Sequence, residues 1–101
     1  MANASPGPID RLIHEPARLA LMTHLSVVEE ADFVFLQKQT AMTPGNMSAH
    51  LGKLQDAEYV AVNKTFANNR PRTVYSLTSA GSEAFDAYLA AMRSILDPAI
   101  G

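Results

Sequence analysis

Apolar residues in this chain recur first at helical spacing, then in alternation, then at helical spacing again, and these three regimes divide it into elements. Ile9, Leu12 and Ile13 share one face of a short helical segment that must stop before Pro16, because proline disfavours the α conformation at Glu15. Pro16 suits the first turn of a new helix. Ala17, Leu19, Ala20, Leu21, Met22 and Leu25 then make an apolar face so broad that this is the expected central core helix, running to Val27 or Val28. After a turn at Glu29-Glu30-Ala31, Asp32 is a candidate N-cap for a helix through Phe33, Leu36 and Gln39, with Phe33, Phe35 and Leu36 as its anchors. A third helix follows the short link Thr40-Ala41-Met42, with Thr43 as N-cap and Pro44 at its first position. Met47, Leu51 and Leu54 fall at i, i+4 and i+7 and form one inward stripe. At about 100° per residue, Gly45, Ala49, Gly52 and Asp56 point away from that stripe, with Asn46 and Lys53 on one shoulder and Ser48 on the other.

From Tyr59 the period changes to two. Val60 and Val62 alternate with Ala61 and Asn63, and Thr73, Tyr75 and Leu77 alternate again after Pro71, which predicts a hairpin. Its tip, Ala67 to Pro71, carries asparagines that tolerate left-handed backbone and then Arg70. Thr78 is an N-cap candidate for a last helix, whose stripe is Phe85, Tyr88, Leu89, Met92, Ile95 and Leu96, and Pro98 ends it. The expected order is four helices, a hairpin and a helix. Residues 1–8, closing on Ser5-Pro6-Gly7-Pro8, read as a flexible arm. Residues 9–97 read as one domain, with a helix-turn-helix over about 32–57, a hairpin over about 59–77 and a C-terminal helix over about 78–97.

Two short helices joined by a tight turn, the second exposing small and polar residues, followed by a basic-tipped hairpin, make a winged helix-turn-helix. The fold class is therefore mainly α with a small β-hairpin (α+β). The major groove of B-DNA admits a helix, which needs small residues where backbones approach and short polar ones at base edges and phosphates. Gly45, Asn46, Ser48, Ala49, Gly52 and Lys53 are that mixture. An adjacent wing can reach the minor groove, whose negative potential attracts an arginine such as Arg70.

Charge distribution changes what the net charge of −2 suggests. Between Lys38 and Tyr75 there are five cations and two anions, a local +3, while the flanks carry −5. A basic middle between acidic ends is the footprint of a phosphate-facing surface, where only the contacting face must be positive. The 101 residues fit one domain, and the absence of cysteine excludes disulfides, cysteine-containing zinc sites and thiol catalysis. No run approaches the roughly 20 apolar residues that a bilayer span needs, and the start does not resemble a signal peptide, so the expectation is a cytoplasmic protein without membrane partners.

These residues also carry a family resemblance. Ile13-His14-Glu15-Pro16-Ala17-Arg18-Leu19-Ala20, then Thr43-Pro44-Gly45-Asn46-Met47-Ser48-Ala49-His50-Leu51-Gly52-Lys53-Leu54, then Arg70 through Gly81 resemble the small MarR- and ArsR-like winged-helix transcriptional regulators. The likeness runs from Leu12 to Tyr88, about three quarters of the chain. It implies a homodimeric, sequence-specific regulator of double-stranded DNA, usually a repressor, on a pseudo-palindromic operator. The resemblance makes Thr43 to Lys53 the recognition helix and Asn68 to Arg72 the wing. Thr43, His50, Asn69 and Arg72 thereby join Gly45, Asn46, Ser48, Ala49, Lys53 and Arg70 as candidate DNA contacts. Two departures stand out. Many relatives have glycine where this chain has Glu58, so the recognition helix is expected to end differently here. That helix also lacks arginine, which removes bidentate reading of guanine from it.

Several residues keep a second reading. His50 lies about 60° from the Met47 to Leu54 stripe and suits either a groove contact or the edge of the core. Arg72 can instead pair with an acidic neighbour. His14 and His24 lack metal-ligand spacing, no nucleophile or paired-carboxylate motif is present, and neither an enzyme nor a cofactor is expected. The last helix, with Ile9, Leu12 and Ile13, presents more apolar surface than a small domain covers. Ile9, Leu12, Ile13, Phe85, Tyr88, Leu89, Met92, Ile95 and Leu96 are accordingly candidates for a two-fold dimer interface, the alternative being that both ends pack on the core helix. A small-molecule effector fits such a regulator, and nothing in the sequence names one. The competing function is a winged-helix module that docks a protein rather than DNA.

Overall fold

The structure, a computed structural model, describes residues 9–97. The proposed arm at 1–8 and the helix stop at Pro98 lie outside them. Four helices and three strands follow in the order α1 (Pro16–Ser26), β1 (Ala31–Asp32), α2 (Phe33–Thr40), α3 (Pro44–Asp56), β2 (Val60–Ala67), β3 (Arg70–Leu77) and α4 (Ser79–Leu96). The sheet is antiparallel, in the order β1-β3-β2. This is a winged helix: α2 and α3 form the helix-turn-helix, β2 and β3 the wing.

Local chemistry explains the boundaries. Glu15, in extended conformation, caps α1 by accepting from the Arg18 amide, with Pro16 at the first position. Asp32 caps α2 through the Phe35 amide at 2.8 Å, and Thr43 caps α3 through the Asn46 amide at 3.2 Å. Thr78 caps α4 through Gly81, while its own hydroxyl donates to the Glu58 carbonyl at 2.6 Å. One side chain thus joins the end of α3 to the start of α4.

Three expectations are corrected. Residues 9–14 form no helix, so the described residues hold four helices and not five. Asp10 Oδ1 accepts from the amides of Leu12 and Ile13 at 2.9 and 3.3 Å, which closes a single turn by side chain rather than propagating a helix, and Pro16 forbids continuation. Ala31 is strand rather than turn, pairing with Tyr75 beside Asp32–Val74. The recognition helix does not end differently for want of glycine. Glu58 itself adopts the left-handed conformation (φ 64°), and the Glu58 and Tyr59 amides donate to Gln55 and Leu54 carbonyls at 2.8 and 3.0 Å, closing a Schellman motif. Ala41, with φ 57°, turns the chain between α2 and α3 through the simpler left-handed cap, its amide donating to the Gln37 carbonyl at 2.8 Å.

The core lies where α1 meets α2, α3 and the sheet, with α4 packed on β3. Ile13, Leu21, Met22, Leu25, Leu36, Met47, Leu51 and Leu54 are essentially without solvent contact. The stripe Met47-Leu51-Leu54 therefore orients α3 as its spacing requires, and the opposite face of that helix is left to solvent.

Candidate nucleic-acid interface

On α3, Thr43, Gly45, Asn46, Ser48, Ala49 and Lys53 are exposed and Gly52 is partly so. Neither glycine is required by the fold. Both have ordinary helical backbone, and a Cβ built on Gly45 or Gly52 would meet nothing within 4 Å. A glycine inside a helix costs roughly 1 kcal/mol relative to alanine, and nothing within the protomer compensates for it at Gly52. With Ala49 between them, these residues make a low strip along the exposed face, flanked by Asn46 and Lys53, over which another backbone could pass closely.

His50 is turned toward α1. Arg18 Nη1 lies 3.1 Å from His50 Nδ1, Arg18 Nε donates to the Leu12 carbonyl at 2.6 Å, and Glu15 Oε1 lies 3.8 Å from the same imidazole nitrogen. The Glu15 carboxyl is held below its ordinary value of 4.5, chiefly by the hydrogen bond from the Arg18 amide, against an opposing contribution from burial. The tie between Arg18 and the recognition helix is not apparent from the sequence. The first-turn position of Arg18, with its side chain leaning back toward the preceding loop, is the only local hint.

The wing is built on a two-residue turn. Asn68 and Asn69 both have positive φ (54° and 62°), the signature of a type I′ turn, and Ala67 pairs with Arg70 on either side of it. The register places Arg70 and Arg72 on one face of the hairpin with Thr65, and Lys64 and Phe66 on the other. Arg70 is exposed at the tip and has no ion pair among the described residues. Arg72 is different: its Nε donates to Asp32 Oδ2 at 3.3 Å, so part of its charge is matched within the protomer. Asp32 thereby caps α2 with one oxygen and holds the base of the wing with the other. Lys64, which is not among the candidate contacts the sequence offers, is also exposed on the wing.

The expected dimer face divides in three. Ile13, Phe85 and Tyr88 are buried inside the domain, where His14 Nδ1 and the Tyr88 hydroxyl lie 2.8 Å apart. Ile9, Leu12 and Met92 are half-buried against the core. Leu89, Ile95 and Leu96 remain in solvent, with Leu96 at 75% exposure. Among the described residues no three potential ligands come together for a metal ion, and no helix is long and apolar enough to cross a membrane.

Comparison with known proteins agrees with this geometry. Residues 17–96 match the model of a family described as a winged helix DNA-binding domain. The solved structure of a transcriptional regulator homologue from Pyrococcus horikoshii OT3 superposes with a TM-score of 0.83 at 31% identity, covering 88% of each chain. A MarR-family regulator from Enterococcus faecalis V583 shares the fold at 21% identity, with a TM-score of 0.76 over 88% of this chain and 80% of that one. An uncharacterised protein of Methanocaldococcus jannaschii is 27% identical over 79 residues, which is 78% of this chain and 86% of the relative.

Proposed function

Because the chain belongs to the winged helix DNA-binding domain family, we propose that it is a sequence-specific regulator of transcription, a repressor that binds double-stranded operator DNA as a homodimer. In this reading α3 enters the major groove, Thr43, Gly45, Asn46, Ser48, Ala49, His50 and Lys53 face the DNA, and the wing lays Asn69, Arg70 and part of Arg72 on the flanking minor groove or backbone. The observation that carries it is the strip Gly45-Ala49-Gly52, whose glycines serve no need of the fold and which lies on the face that a duplex would meet. Leu89, Ile95 and Leu96, with Met92, form the proposed dimer surface on α4. A two-fold pair would set two recognition helices on half-sites about 34 Å apart.

Selection of bound fragments from genomic DNA would yield the operator, and titration against it at several salt concentrations tests the mechanism. Affinity should fall steeply with salt, and Arg70→Ala should reduce the log–log slope by about one. Absence of duplex binding at low salt overturns the reading in favour of a protein-docking winged helix.

A further inference from the structure

The contact between Arg18 and His50 determines what His50 can say to a partner. A guanidinium has donors only, so a hydrogen bond across the 3.1 Å contact is made with His50 Nδ1 as the acceptor. The neutral ring then carries its proton on Nε2. Arg18 is itself held, since its Nε donates to the Leu12 carbonyl and its amide donates to Glu15. No group among the described residues accepts from His50 Nε2, and none of their buried polar side-chain atoms lacks a partner, so Nε2–H meets solvent. His50 itself occupies the shoulder of α3 that bears Asn46 and Lys53, both exposed.

We propose that Arg18 is a positioning residue for specificity: it fixes His50 as a hydrogen-bond donor, and His50 reads an acceptor on a base edge. The inference rests on the DNA-binding reading above and names what one residue of that surface recognises. In the major groove, purine N7, guanine O6 and thymine O4 accept, whereas the cytosine N4 amino group donates. A histidine free to change tautomer could meet either kind of edge. Held by Arg18, His50 favours the acceptors and leaves a facing cytosine amino group without a partner, so the lock works as a filter at one operator position.

The test has one arm without DNA and one with it. Long-range proton–nitrogen correlation spectra of histidine-labelled protein should show His50 protonated at Nε2 and bare at Nδ1, and Arg18→Met should produce a mixture of tautomers. A wild-type ring protonated at Nδ1, or a tautomer indifferent to Arg18→Met, overturns the proposal. With operator DNA, replacing the purine opposite His50 by its 7-deaza analogue should weaken wild-type binding about tenfold, the size expected for one lost hydrogen bond with its partner left unmet, and should not weaken His50→Leu further. In Arg18→Met, discrimination against cytosine at that position should shrink by a similar factor. Should Arg18→Met not fold, the wild-type spectrum and His50→Leu still decide. If His50→Leu lowers the salt slope by about one and leaves base preference unchanged, His50 meets a phosphate and the inference fails. Wild-type protein that binds no duplex removes the underlying function instead, a result distinct from wild-type binding that His50→Leu leaves unaltered.

Discussion

The Tyr59 hydroxyl donates to Asp10 Oδ2 at 2.6 Å, joining two residues 49 positions apart. Asp10 uses its other oxygen to close the turn before α1, and Tyr59 is the residue that completes the cap of α3. α3 is therefore anchored at its far end to the segment that leads into the core helix. Tyr59→Phe keeps the ring and leaves Asp10 Oδ2 without its donor, so a loss of about 1 kcal/mol in denaturant-derived stability is expected. The same contact, with burial adding to it, raises the Tyr59 hydroxyl above its ordinary 10.0. A group raised in the folded state contributes stability that is complete below the unfolded value of 10.0 and is withdrawn as pH climbs through the raised one. Wild type should lose this part of its alkaline stability, and Tyr59→Phe should not.

Gly81 is required for a different reason from the glycines of α3. A Cβ at this position would overlap the carbonyl of Tyr59, which already accepts from the Thr78 amide at 3.0 Å. The obstacle is backbone, so it cannot rotate away. Gly81→Ala should cost about 3 kcal/mol despite alanine's better helix propensity, read as a shift of the urea midpoint.

Gly52→Ala should separate stability from binding. With open space around the new methyl group, helix propensity favours alanine and the thermal midpoint should rise, corresponding to roughly 0.5–1 kcal/mol. Operator affinity measured by anisotropy should fall, because the methyl raises the low strip on which DNA would lie. A variant that gains stability and binds as tightly as wild type would remove Gly52 from the interface.

Leu89→Glu places a charge on the exposed face of α4, where the leucine is 39% accessible in the protomer. Folding should be nearly unaffected. Sedimentation should show monomer, and operator binding should weaken steeply as the second half-site is lost. An unchanged dimer would move the interface off this helix.

Much of the frame was legible because it is local. Asp32, Thr43-Pro44 and Thr78 announce their helices through capping chemistry that needs no tertiary partner, and the Met47-Leu51-Leu54 spacing orients α3. What escaped was set by distant parts of the chain. Ala31 and Asp32 form a strand only because β3 is beside them, and two residues carry no period to detect. Phe85 and Tyr88 share a stripe with Leu89 and Ile95, and spacing cannot say which part of a wide stripe its own domain will cover. Glu58 takes the left-handed cap because the motif's two amide bonds and the Thr78 hydroxyl reward that conformation, overriding a strain of about 1 kcal/mol. Of the candidate site, residue identity gave the exposed face of α3, whereas the engagement of His50 by Arg18 and of Arg72 by Asp32 belongs to tertiary contacts 32 and 40 positions apart.

The type I′ tip of the wing also limits how relatives of this protein can diverge. Asn68-Asn69 is the shortest link that joins β2 to β3 in the observed register, and side chains alternate between the faces on either side of it. Inserting or deleting one residue within β3 beyond Arg70 would exchange the face carrying Arg72 for the opposite one and would misalign Val74 and Tyr75, which are buried. Lineages should therefore lengthen or shorten this hairpin by paired changes in both strands, and single-residue gaps should be confined to its tip.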